Sequence, residues 1–320
     1  MKKAIIIGIS GQDGAFLAKH LINNGYSVIG TSRDVANGGF CSLKKMNLFH
    51  QIPIVSLSLM DFKEIIQLLN DAEPDEIYNL SGQTSVGLSF AQPIITMESV
   101  AIATVNLLEA IRFVNPGIKF YNACSTECFG NCLIPATEET GFQPNSPYAI
   151  AKSSAFWFVK HYRESYGMFA VSGILSNHES EFRNERFVTK KILHTVARIY
   201  LGEKISLEVG NTEIIRDWGL AEEYCIAMNL MLNTDTPEDF IIATGRSISL
   251  LEFIEYSFKH LGLDYKKYTI INKSLFRPGD AKQVLLNPEK ASSILNWKAH
   301  SNVYNLVEIL LKRELNNFSN

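Results

Sequence analysis

The sequence predicts an α/β fold, in which a doubly wound parallel sheet carries a smaller, interwoven C-terminal α+β domain. Short apolar runs alternate with helical patterns over residues 2–175, which is typical of a parallel sheet with helices on both faces. A glycine-rich turn follows the first apolar run, and after Asn177 the alternation becomes irregular. We therefore predict a first domain over residues 1–176 and a second over 177–320, with segments near 215–245 packing back on the first.

The elements of the first domain are predicted from this alternation and from capping residues. Strands are predicted at residues 2–8, 27–31, 52–57, 76–80, 119–123 and 170–175, and helices at 62–70, 100–113 and 187–201. Asn145 and Ser146, followed by Pro147, predict the start of another helix, because Asn and Ser cap a helix N-terminus and Pro fits its first turn.

Composition and charge exclude several classes of partner. The chain has 320 residues, 46% of them hydrophobic and 20% charged, with a net charge of −3. Without a basic excess or a run of Lys and Arg, no nucleic acid partner is expected. No apolar run approaches the length of a membrane span, and the short apolar start predicts a first strand instead of a signal peptide. The five cysteines have neither zinc nor disulfide spacing, so we predict no metal site, and buried thiols in a reducing cytoplasm.

Three glycines between the first strand and the first helix indicate a dinucleotide site. Gly8, Gly11 and Gly14 permit a tight turn and the close approach of a pyrophosphate, which binds free N–H groups at a helix N-terminus. Strand, glycine-rich turn and helix are the context that a dinucleotide fingerprint requires. We predict that this turn, including Gln12 and Asp13, binds the cofactor of a Rossmann domain. A glycine-rich turn without a ligand is the alternative.

The end of the second strand bears on which dinucleotide binds. A carboxylate there suits the ribose of NAD, whereas an arginine suits the additional phosphate of NADP. Arg33 therefore predicts NADP, with NAD as the alternative because Asp34 is adjacent. A solvated surface arginine is the other interpretation of Arg33.

The pair Tyr148 and Lys152 is the candidate proton-transfer centre. Four residues apart, the two side chains lie on one face of a helix, and the ammonium favours the ionised phenol. A tyrosine with a pKa near neutrality can take the proton of an alcohol while hydride leaves the same carbon. Such pairs also occur by chance in many helices, so the upstream dinucleotide site is what makes this pair a candidate.

Polar residues beside predicted strands and turns are candidates for ligand contact. Ser85 belongs to a small polar segment after the fourth strand, where open α/β sheets place ligands. Arg216 and Arg277 lie in loops, and paired arginines suit a diphosphate. An ordinary loop and solvated arginines are the alternatives.

The helix that starts at Pro147 also predicts an oligomer. Phe156, Trp157, Phe158 and Tyr162 make it more apolar than a helix with one buried face needs. Core packing explains most of this apolar character, and we predict that the helix also pairs with its copy in a homodimer, with a tetramer as the alternative.

Together these motifs resemble the extended short-chain dehydrogenase/reductase superfamily and, within it, the GDP-mannose 4,6-dehydratase family. The resemblance runs nearly from end to end of the chain. The motifs that carry it are Gly-Ile-Ser-Gly-Gln-Asp-Gly (8–14), Ser-Thr-Glu (125–127) with Tyr148 and Lys152, Asn-His-Glu-Ser (177–180), Arg-Asp-Trp-Gly (216–219) and Phe-Arg-Pro (276–278).

The resemblance implies an NADP-dependent dehydration of GDP-mannose to GDP-4-keto-6-deoxymannose. Tyr148, aided by Ser125 and Lys152, would deprotonate the sugar 4-hydroxyl as hydride leaves C4. Glu127 would then remove the C5 proton while the 6-hydroxyl leaves as water, and hydride would return to C6.

The resemblance also implies which residues contact the nucleotide sugar. They are Ser85, Asn177, Lys191, Arg216, Arg277 and Asp280, the last of which stands where the family usually has Glu. Close alternatives are a dehydratase for a relative such as a GDP-heptose, and a 4-ketoreductase or epimerase that leaves Glu127 idle. A catalytically silent dinucleotide sensor is a third alternative, but it would be expected to have lost Tyr148 and Lys152.

Overall fold

The computed structural model describes residues 1–319, and its strands and helices alternate over the first half of the chain. The strands are β1 (Lys3–Ile7), β2 (Ser27–Ser32), β3 (Ile54–Ser56), β4 (Glu76–Asn79), β5 (Lys119–Ser125), β6 (Ala170–Leu175), β7 (Asn177–Glu179), β8 (Leu207–Val209), β9 (Ile215–Leu220), β10 (Phe240–Ile242), β11 (Ser247–Ser249) and β12 (Thr269–Ile271). The helices are α1 (Gln12–Asn23), α2 (Cys41–Lys45), α3 (Phe62–Ala72), α4 (Val86–Ala91), α5 (Pro93–Met97), α6 (Ala103–Val114), α7 (Pro147–Tyr166), α8 (Val188–Tyr200), α9 (Ala221–Leu232), α10 (Leu250–His260), α11 (Glu289–Ile294) and α12 (Val303–Ser319).

The main sheet has seven parallel strands in the order β3-β2-β1-β4-β5-β6-β10. One apolar layer, which includes α1, α2 and α9, covers one face of this sheet, and a second layer of α3, α6 and α7 covers the other. Both faces of the central strands are therefore buried, as continuous apolar runs such as β1 require. The predicted doubly wound parallel sheet is confirmed.

The last strand of the main sheet comes from late in the chain. Phe240–Ile242 pairs in parallel with β6, although sixty-odd residues of other structure separate the two strands. Asp239, just before β10, accepts a hydrogen bond from Ser172 N at 2.7 Å and forms an ion pair with Arg163 of α7 at 2.5 Å. The strand is thus fixed to the sheet by both backbone and side chains. The sequence did not predict it.

The remainder of the chain builds a smaller unit beside the carboxyl edge of the main sheet. Strands β7, β9 and β11 form one sheet, and β8 pairs with β12 in another. Helices α8, α10 and α12 pack with these strands around a separate apolar cluster. Helix α9 follows β9 of this unit in the chain but packs against α1 of the first domain.

The helix before β5 is longer than predicted. It runs without a break from Pro93 to Val114 through a π-helical turn at Glu98–Ile102, whereas the sequence predicted residues 100–113. By length and composition this helix could cross a membrane, although the sequence predicted no apolar run of that length. Half of its most apolar window is buried, as in a core helix, and it packs against α3 and α7.

Candidate active site

The predicted site residues gather at the carboxyl edge of the main sheet. The turn at Gly8 follows β1, and Arg33 follows the neighbouring strand β2. Ser125 ends β5, and in the sheet register it lies opposite Leu175 of β6, two residues before Asn177. Ligands of open α/β sheets bind at this edge, because loops from adjacent parallel strands meet there.

Glu127 is buried in a short turn that Ser125 begins. Residues Thr126–Phe129 form a 3₁₀ turn, and Ser125 Oγ accepts a hydrogen bond from the backbone N–H of Glu127 at 3.2 Å. Only 9% of Glu127 is exposed to solvent. Ser125 therefore places its own hydroxyl and the Glu127 carboxylate in one fixed turn, so Glu127 is not a solvated surface residue.

Tyr148 and Lys152 reach this turn from the first two turns of α7. Ser146 caps the helix, its Oγ accepting a hydrogen bond from Ala149 N at 3.1 Å, and Pro147 occupies the first turn, as predicted. Lys152 Nζ donates to the carbonyl of Ala123 at 2.6 Å and lies 5.9 Å from the centroid of the Tyr148 ring. Both side chains are buried. The phenol and the ammonium thus face the end of β5.

The direction of the pKa shift of Tyr148 differs from the prediction. Burial raises the pKa of Tyr148 above its ordinary value, and a hydrogen bond with Ser125 opposes this rise. The charge of Glu127 adds to the rise. The predicted pKa near neutrality is wrong for this structure, because desolvation of the phenol dominates.

A line of four alternating charges runs from Glu127 to the rim of the site. Glu127 Oε1 accepts from Arg216 Nε at 3.1 Å, and Arg216 Nη2 donates to Asp280 Oδ1 at 3.1 Å. Asp280 Oδ2 in turn lies 3.1 Å from Arg277 Nη2. Burial raises the pKa of Asp280, and the charges of both arginines oppose that rise. The fold thus brings together residues of the predicted catalytic and substrate sets, which the sequence did not link.

The glycine-rich turn has the shape that a pyrophosphate needs. Gly8 has a φ of +90°, and a Cβ on Gly14 would lie 2.7 Å from Gly8 O, so the chain itself requires glycine at these two positions. A Cβ on Gly11 would meet only Gly8 O, at an ordinary 3.5 Å. Space for a ligand is therefore the remaining reason for glycine at Gly11, and the residues present fit a bound dinucleotide.

The side chains of Gln12 and Asp13 do not project towards this turn but bind the segment after β6. Gln12 Nε2 donates to His178 O at 2.9 Å, and Asp13 Oδ2 lies 2.9 Å from His178 Nε2. Ser180 Oγ donates to Gln12 Oε1 at 2.8 Å. Contact of Gln12 and Asp13 with the cofactor therefore remains a prediction, and it concerns only their backbone amides. Sequence reasoning assigned no role to His178, although it belongs to the Asn-His-Glu-Ser motif.

Asp13 and His178 each favour the charged form of the other. The Asp13 carboxylate raises the pKa of His178 against the effect of burial, and His178 lowers the pKa of Asp13. The imidazole also stacks on Tyr224, with 5.0 Å between ring centroids. This pair connects the glycine-rich turn to the smaller unit.

Arg33 and Asp34 have different surroundings. The Asp34 carboxylate accepts hydrogen bonds from the Asn37 backbone at 2.8 Å and from its side chain at 3.0 Å. Arg33 is exposed, and its guanidinium has no hydrogen bond or ion pair within residues 1–319. The carboxylate is thus occupied, and the arginine remains available to an anion.

The other predicted substrate residues fall into two groups. Ser85 caps α4, its Oγ accepting from Leu88 N at 3.3 Å, so its side chain already has a structural role. Lys191 in α8 is half-buried, and no ion pair to it occurs in the described part of the chain. By contrast, its neighbour Lys190 is paired with Glu314. Lys191 is therefore the free cation of this helix.

In the described part of the chain the cysteines form neither a disulfide nor part of a metal cluster. All five thiols are free; Cys41 is exposed, which corrects the prediction that all are buried, and the other four are buried. Within residues 1–319 no group of three or more His, Cys, Asp or Glu side chains could hold a metal ion.

Comparison with known proteins decides the family. A family model described as GDP-mannose 4,6 dehydratase matches residues 5–310. The chain belongs to the GDP-mannose 4,6-dehydratase family. The resemblance to this family that the motifs indicated is confirmed. The prediction of a lyase that acts in nucleotide-sugar metabolism is confirmed as well.

Members of the GDP-mannose 4,6-dehydratase family from three kingdoms align with this chain over most of their length. GDP-mannose 4,6 dehydratase 2 of Arabidopsis thaliana is 38% identical, with 98% of this chain and 87% of that protein covered. GDP-mannose 4,6-dehydratase of Vibrio cholerae is 37% identical, with coverage of 98% and 94%. The protein of the same name from Homo sapiens is 38% identical, with coverage of 92% and 86%.

Solved structures agree with the fold. A dTDP-glucose 4,6-dehydratase from Bacillus anthracis, solved in complex with NAD, superposes with a TM-score of 0.87 at 18% identity, covering 100% of this chain and 98% of that one. RMD from Pseudomonas aeruginosa, solved in complex with NADPH, superposes with a TM-score of 0.83 at 19% identity, covering 99% of this chain and 100% of that one. At such identities the likeness establishes the fold alone.

Proposed function

We propose that this chain dehydrates GDP-mannose to GDP-4-keto-6-deoxymannose, the reaction for which its family is named. The observation that carries the proposal is the buried Glu127 carboxylate, held beside Tyr148 in the turn that Ser125 caps. Simple 4-ketoreductases and epimerases need the tyrosine but have no use for this carboxylate. A buried charge is costly to keep in a fold, so its position at the site indicates a role in the chemistry.

Two residues of the chain carry out the two proton transfers, Tyr148 at the 4-hydroxyl and Glu127 at C5. Tyr148 accepts the proton of the sugar 4-hydroxyl in its phenolate form, which the hydrogen bond with Ser125 and the Lys152 ammonium on Ala123 O stabilise. When bound, NADP⁺ would supply the redox chemistry, as acceptor of the hydride from C4 and donor of that hydride to C6. The 4-keto group acidifies the C5 proton, and Glu127 removes it. That proton leaves with the 6-hydroxyl as water, and a solvent proton then adds to C5.

We propose NADP in preference to NAD as the cofactor. The support is the free, exposed guanidinium of Arg33 at the end of β2, next to a carboxylate that already binds Asn37. An arginine there suits the 2′-phosphate of NADP, whereas a free carboxylate would suit the ribose of NAD. Solved relatives of this fold have been captured with each: one with NAD and one with NADPH.

For the substrate we propose contacts from both units of the chain. Lys191 and Arg277 would provide cations for the diphosphate, and Asn177, at the start of β7, would contact the nucleotide sugar. Arg277 also lies close to the start of α4, since its Cδ would be 3.9 Å from a Cβ on Gly87. The Ser85 cap of that helix therefore orders the surface that faces Arg277.

Incubation of the purified chain with GDP-mannose and NADP⁺ in deuterated water tests the activity. We expect deuterium at C5, loss of the 6-hydroxyl and no net reduction of the cofactor. Net reduction of the cofactor, or inversion at C4 without loss of water, would instead indicate an oxidoreductase or an epimerase. Turnover of a GDP-heptose but not of GDP-mannose would move the assignment to a related dehydratase.

We also propose that the chain forms homodimers through α7 and the helix Pro93–Val114. Large apolar side chains on these two helices face solvent in the single chain: Ile94, Ile95, Ile102, Phe113, Ile150, Trp157, Phe158 and Tyr166. Exposed apolar side chains on helices that pack against each other suit pairing with a second copy. Trp157→Glu should convert a dimer to a monomer in analytical ultracentrifugation. A wild-type monomer would contradict the proposal, and a tetramer would show a further interface.

The five free thiols fit a reducing compartment, and we propose the cytoplasm as the location of this activity.

A further inference from the structure

Two buried cysteines stand on either side of the turn that carries Ser125 and Glu127. Cys124 is the last residue but one of β5, and Cys128 lies in the 3₁₀ turn that follows. Their Sγ atoms are 3.8 Å apart, and their exposed fractions are 3% and 0%. A buried cysteine can serve simply as a small apolar side chain, but two thiols in contact can also form a covalent bond. The proposed mechanism uses neither thiol.

Both thiols pack against the turns of α7 that carry Tyr148 and Lys152. Cys128 Sγ lies 3.6 Å from the carbonyl oxygen of Ala149, and Cys124 Sγ lies 3.9 Å from that of Lys152. Burial raises the pKa of Cys124. Burial also acts to raise the pKa of Cys128, but a hydrogen bond with Cys124 and the charge of Lys152 lower it overall. Cys128 is therefore the more acidic thiol of the pair, and the thiolate is the reactive form of cysteine.

We propose that Cys124 and Cys128 form an oxidation site, at which a small hydroperoxide joins them in a disulfide and thereby stops dehydration. The loss of dehydration rests on the proposed roles of Ser125 and Glu127, whereas the formation of the disulfide does not. Burial excludes glutathione and protein oxidants from these sulfurs, but hydrogen peroxide is scarcely larger than water. Disulfides in cytosolic proteins are usually transient and serve catalysis or the sensing of oxidants.

The oxidation proceeds in two steps, with the hydroperoxide as the oxidant. The Cys128 thiolate attacks one peroxide oxygen, so that an S–O bond forms and the O–O bond breaks. The other oxygen leaves as hydroxide and takes up the proton that the thiol released, which leaves Cys128 as a sulfenic acid. The Cys124 thiol then loses its proton and attacks Cys128 Sγ; the S–S bond forms, the S–O bond breaks, and hydroxide leaves with that proton as water. Two thiols are thus oxidised to one disulfide, and one hydrogen peroxide is reduced to two waters.

The disulfide would change the turn that lies between the two sulfurs. Its sulfurs must come within ~2.05 Å of each other, closer than the present 3.8 Å. Both thiols belong to one apolar cluster with Phe129 and Phe156, and close packing leaves little room for a sulfur to move alone. The turn therefore moves as well, together with the hydrogen bond that Glu127 N donates to Ser125 Oγ. The glycine-rich turn follows β1, which β4 separates from β5, so cofactor binding should persist.

The test uses the full chain with Cys41→Ser as the parent protein, because the exposed Cys41 thiol would otherwise react first. The parent is compared with Cys128→Ala and with the matched control Cys132→Ala. Cys132 is buried in the same cluster, but its Sγ pairs with the carbonyl of Phe129 instead of a thiol.

The disulfide is detected directly and independently of activity. Each protein is treated with hydrogen peroxide, free thiols are blocked with a maleimide, and the denatured chain is cleaved after Glu127. This cleavage separates Cys124 from Cys128 unless a disulfide joins them, which mass spectrometry shows. Dehydration of GDP-mannose and binding of NADP⁺ are measured on the same samples before denaturation.

In the treated parent we expect the two peptides to stay joined and the dehydration rate to fall ~10²-fold, since small displacements of reacting groups cost about that much. NADP⁺ affinity should stay nearly unchanged, and dithiothreitol should restore the rate and separate the peptides. Cys128→Ala should keep its own untreated rate after peroxide, and Cys132→Ala should behave as the parent does.

Four results would overturn the proposal: separate peptides in the treated parent, joined peptides with an unchanged rate, an equal loss of rate in Cys128→Ala, or separate peptides in Cys132→Ala. If Cys128→Ala does not fold, Cys128→Ser takes its place with the same expectations. A reduced parent that does not dehydrate GDP-mannose would be a failure of the proposed function. The joined or separate peptides would still decide whether Cys124 and Cys128 form the oxidation site.

Discussion

The replacement Tyr148→Phe removes one hydroxyl from the centre of the site, and its effect follows from burial. Tyr148 is 8% exposed and its hydroxyl is hydrogen-bonded to Ser125, so water has little room to take over its proton transfer. General acid–base groups contribute ~10²–10⁴-fold, and the lack of a substitute places this loss in the upper half of that range. A factor of ~10³–10⁴ corresponds to about 4–5 kcal/mol of barrier at ~1.4 kcal/mol for each tenfold change.

The assay for this variant follows the hydride itself. With GDP-mannose deuterated at C4, the wild-type chain should move the label to C6, which mass spectrometry detects, and Tyr148→Phe should slow that transfer by ~10³–10⁴-fold. Tyr162→Phe is the matched control, because Tyr162 is also buried in α7 but bonds to Glu109, outside the site. Each variant loses one hydrogen bond, worth about 1 kcal/mol, so both should stay folded. Label transfer within about tenfold of wild type in Tyr148→Phe would refute the role of the phenol.

Three other substitutions give distinct outcomes. Glu127→Gln should allow oxidation at C4 but lower water loss by ~10²–10⁴-fold, seen as accumulating reduced cofactor; normal turnover would refute the base. Ser125→Ala removes the hydrogen bond that lowers the pKa of Tyr148, so that pKa rises further. The phenolate fraction at neutral pH then falls, and the single-turnover profile of C4 oxidation should move to higher pH; an unmoved profile would contradict this. Arg33→Ser should weaken NADP by ~10–100-fold, the loss of one charge-assisted hydrogen bond, and leave NAD nearly unchanged in calorimetry; equal losses would argue against a phosphate contact.

The sequence predicts most of the main sheet because its strands are local, apolar and regularly separated. The predicted strand at residues 170–175 matches β6, and the predicted cap at Ser146 begins α7. The strand at Phe240–Ile242 was missed because three apolar residues are too few for a periodic signal, and its pairing with β6 is fixed by tertiary contacts. Short strands of this kind become visible only when the neighbouring strand is known.

At the site, residue types were predictable and their partners were not. Tyr148 and Lys152 were found from spacing, but the direction of the pKa shift of Tyr148 depends on burial, which spacing does not reveal. Glu127 and Arg216 are 89 residues apart, and only the fold shows that they bind each other. His178 was part of a motif, yet its bond to Asp13 could not be deduced without the position of β7 relative to α1. Long-range polar pairs of this kind carry no periodicity in the sequence.

The strand β10 limits how this enzyme can be recombined with its relatives. A chimera joined after β6 would leave β6 as an unpaired edge strand, unless the donor half supplied its own version of Phe240–Ile242 in the same register. It would also need a carboxylate equivalent to that of Asp239, which accepts hydrogen bonds from both the Arg163 side chain and the backbone N–H of Ser172. Exchanges of substrate preference between family members should therefore be made within the loops after β6, and not by swapping the C-terminal half as a module.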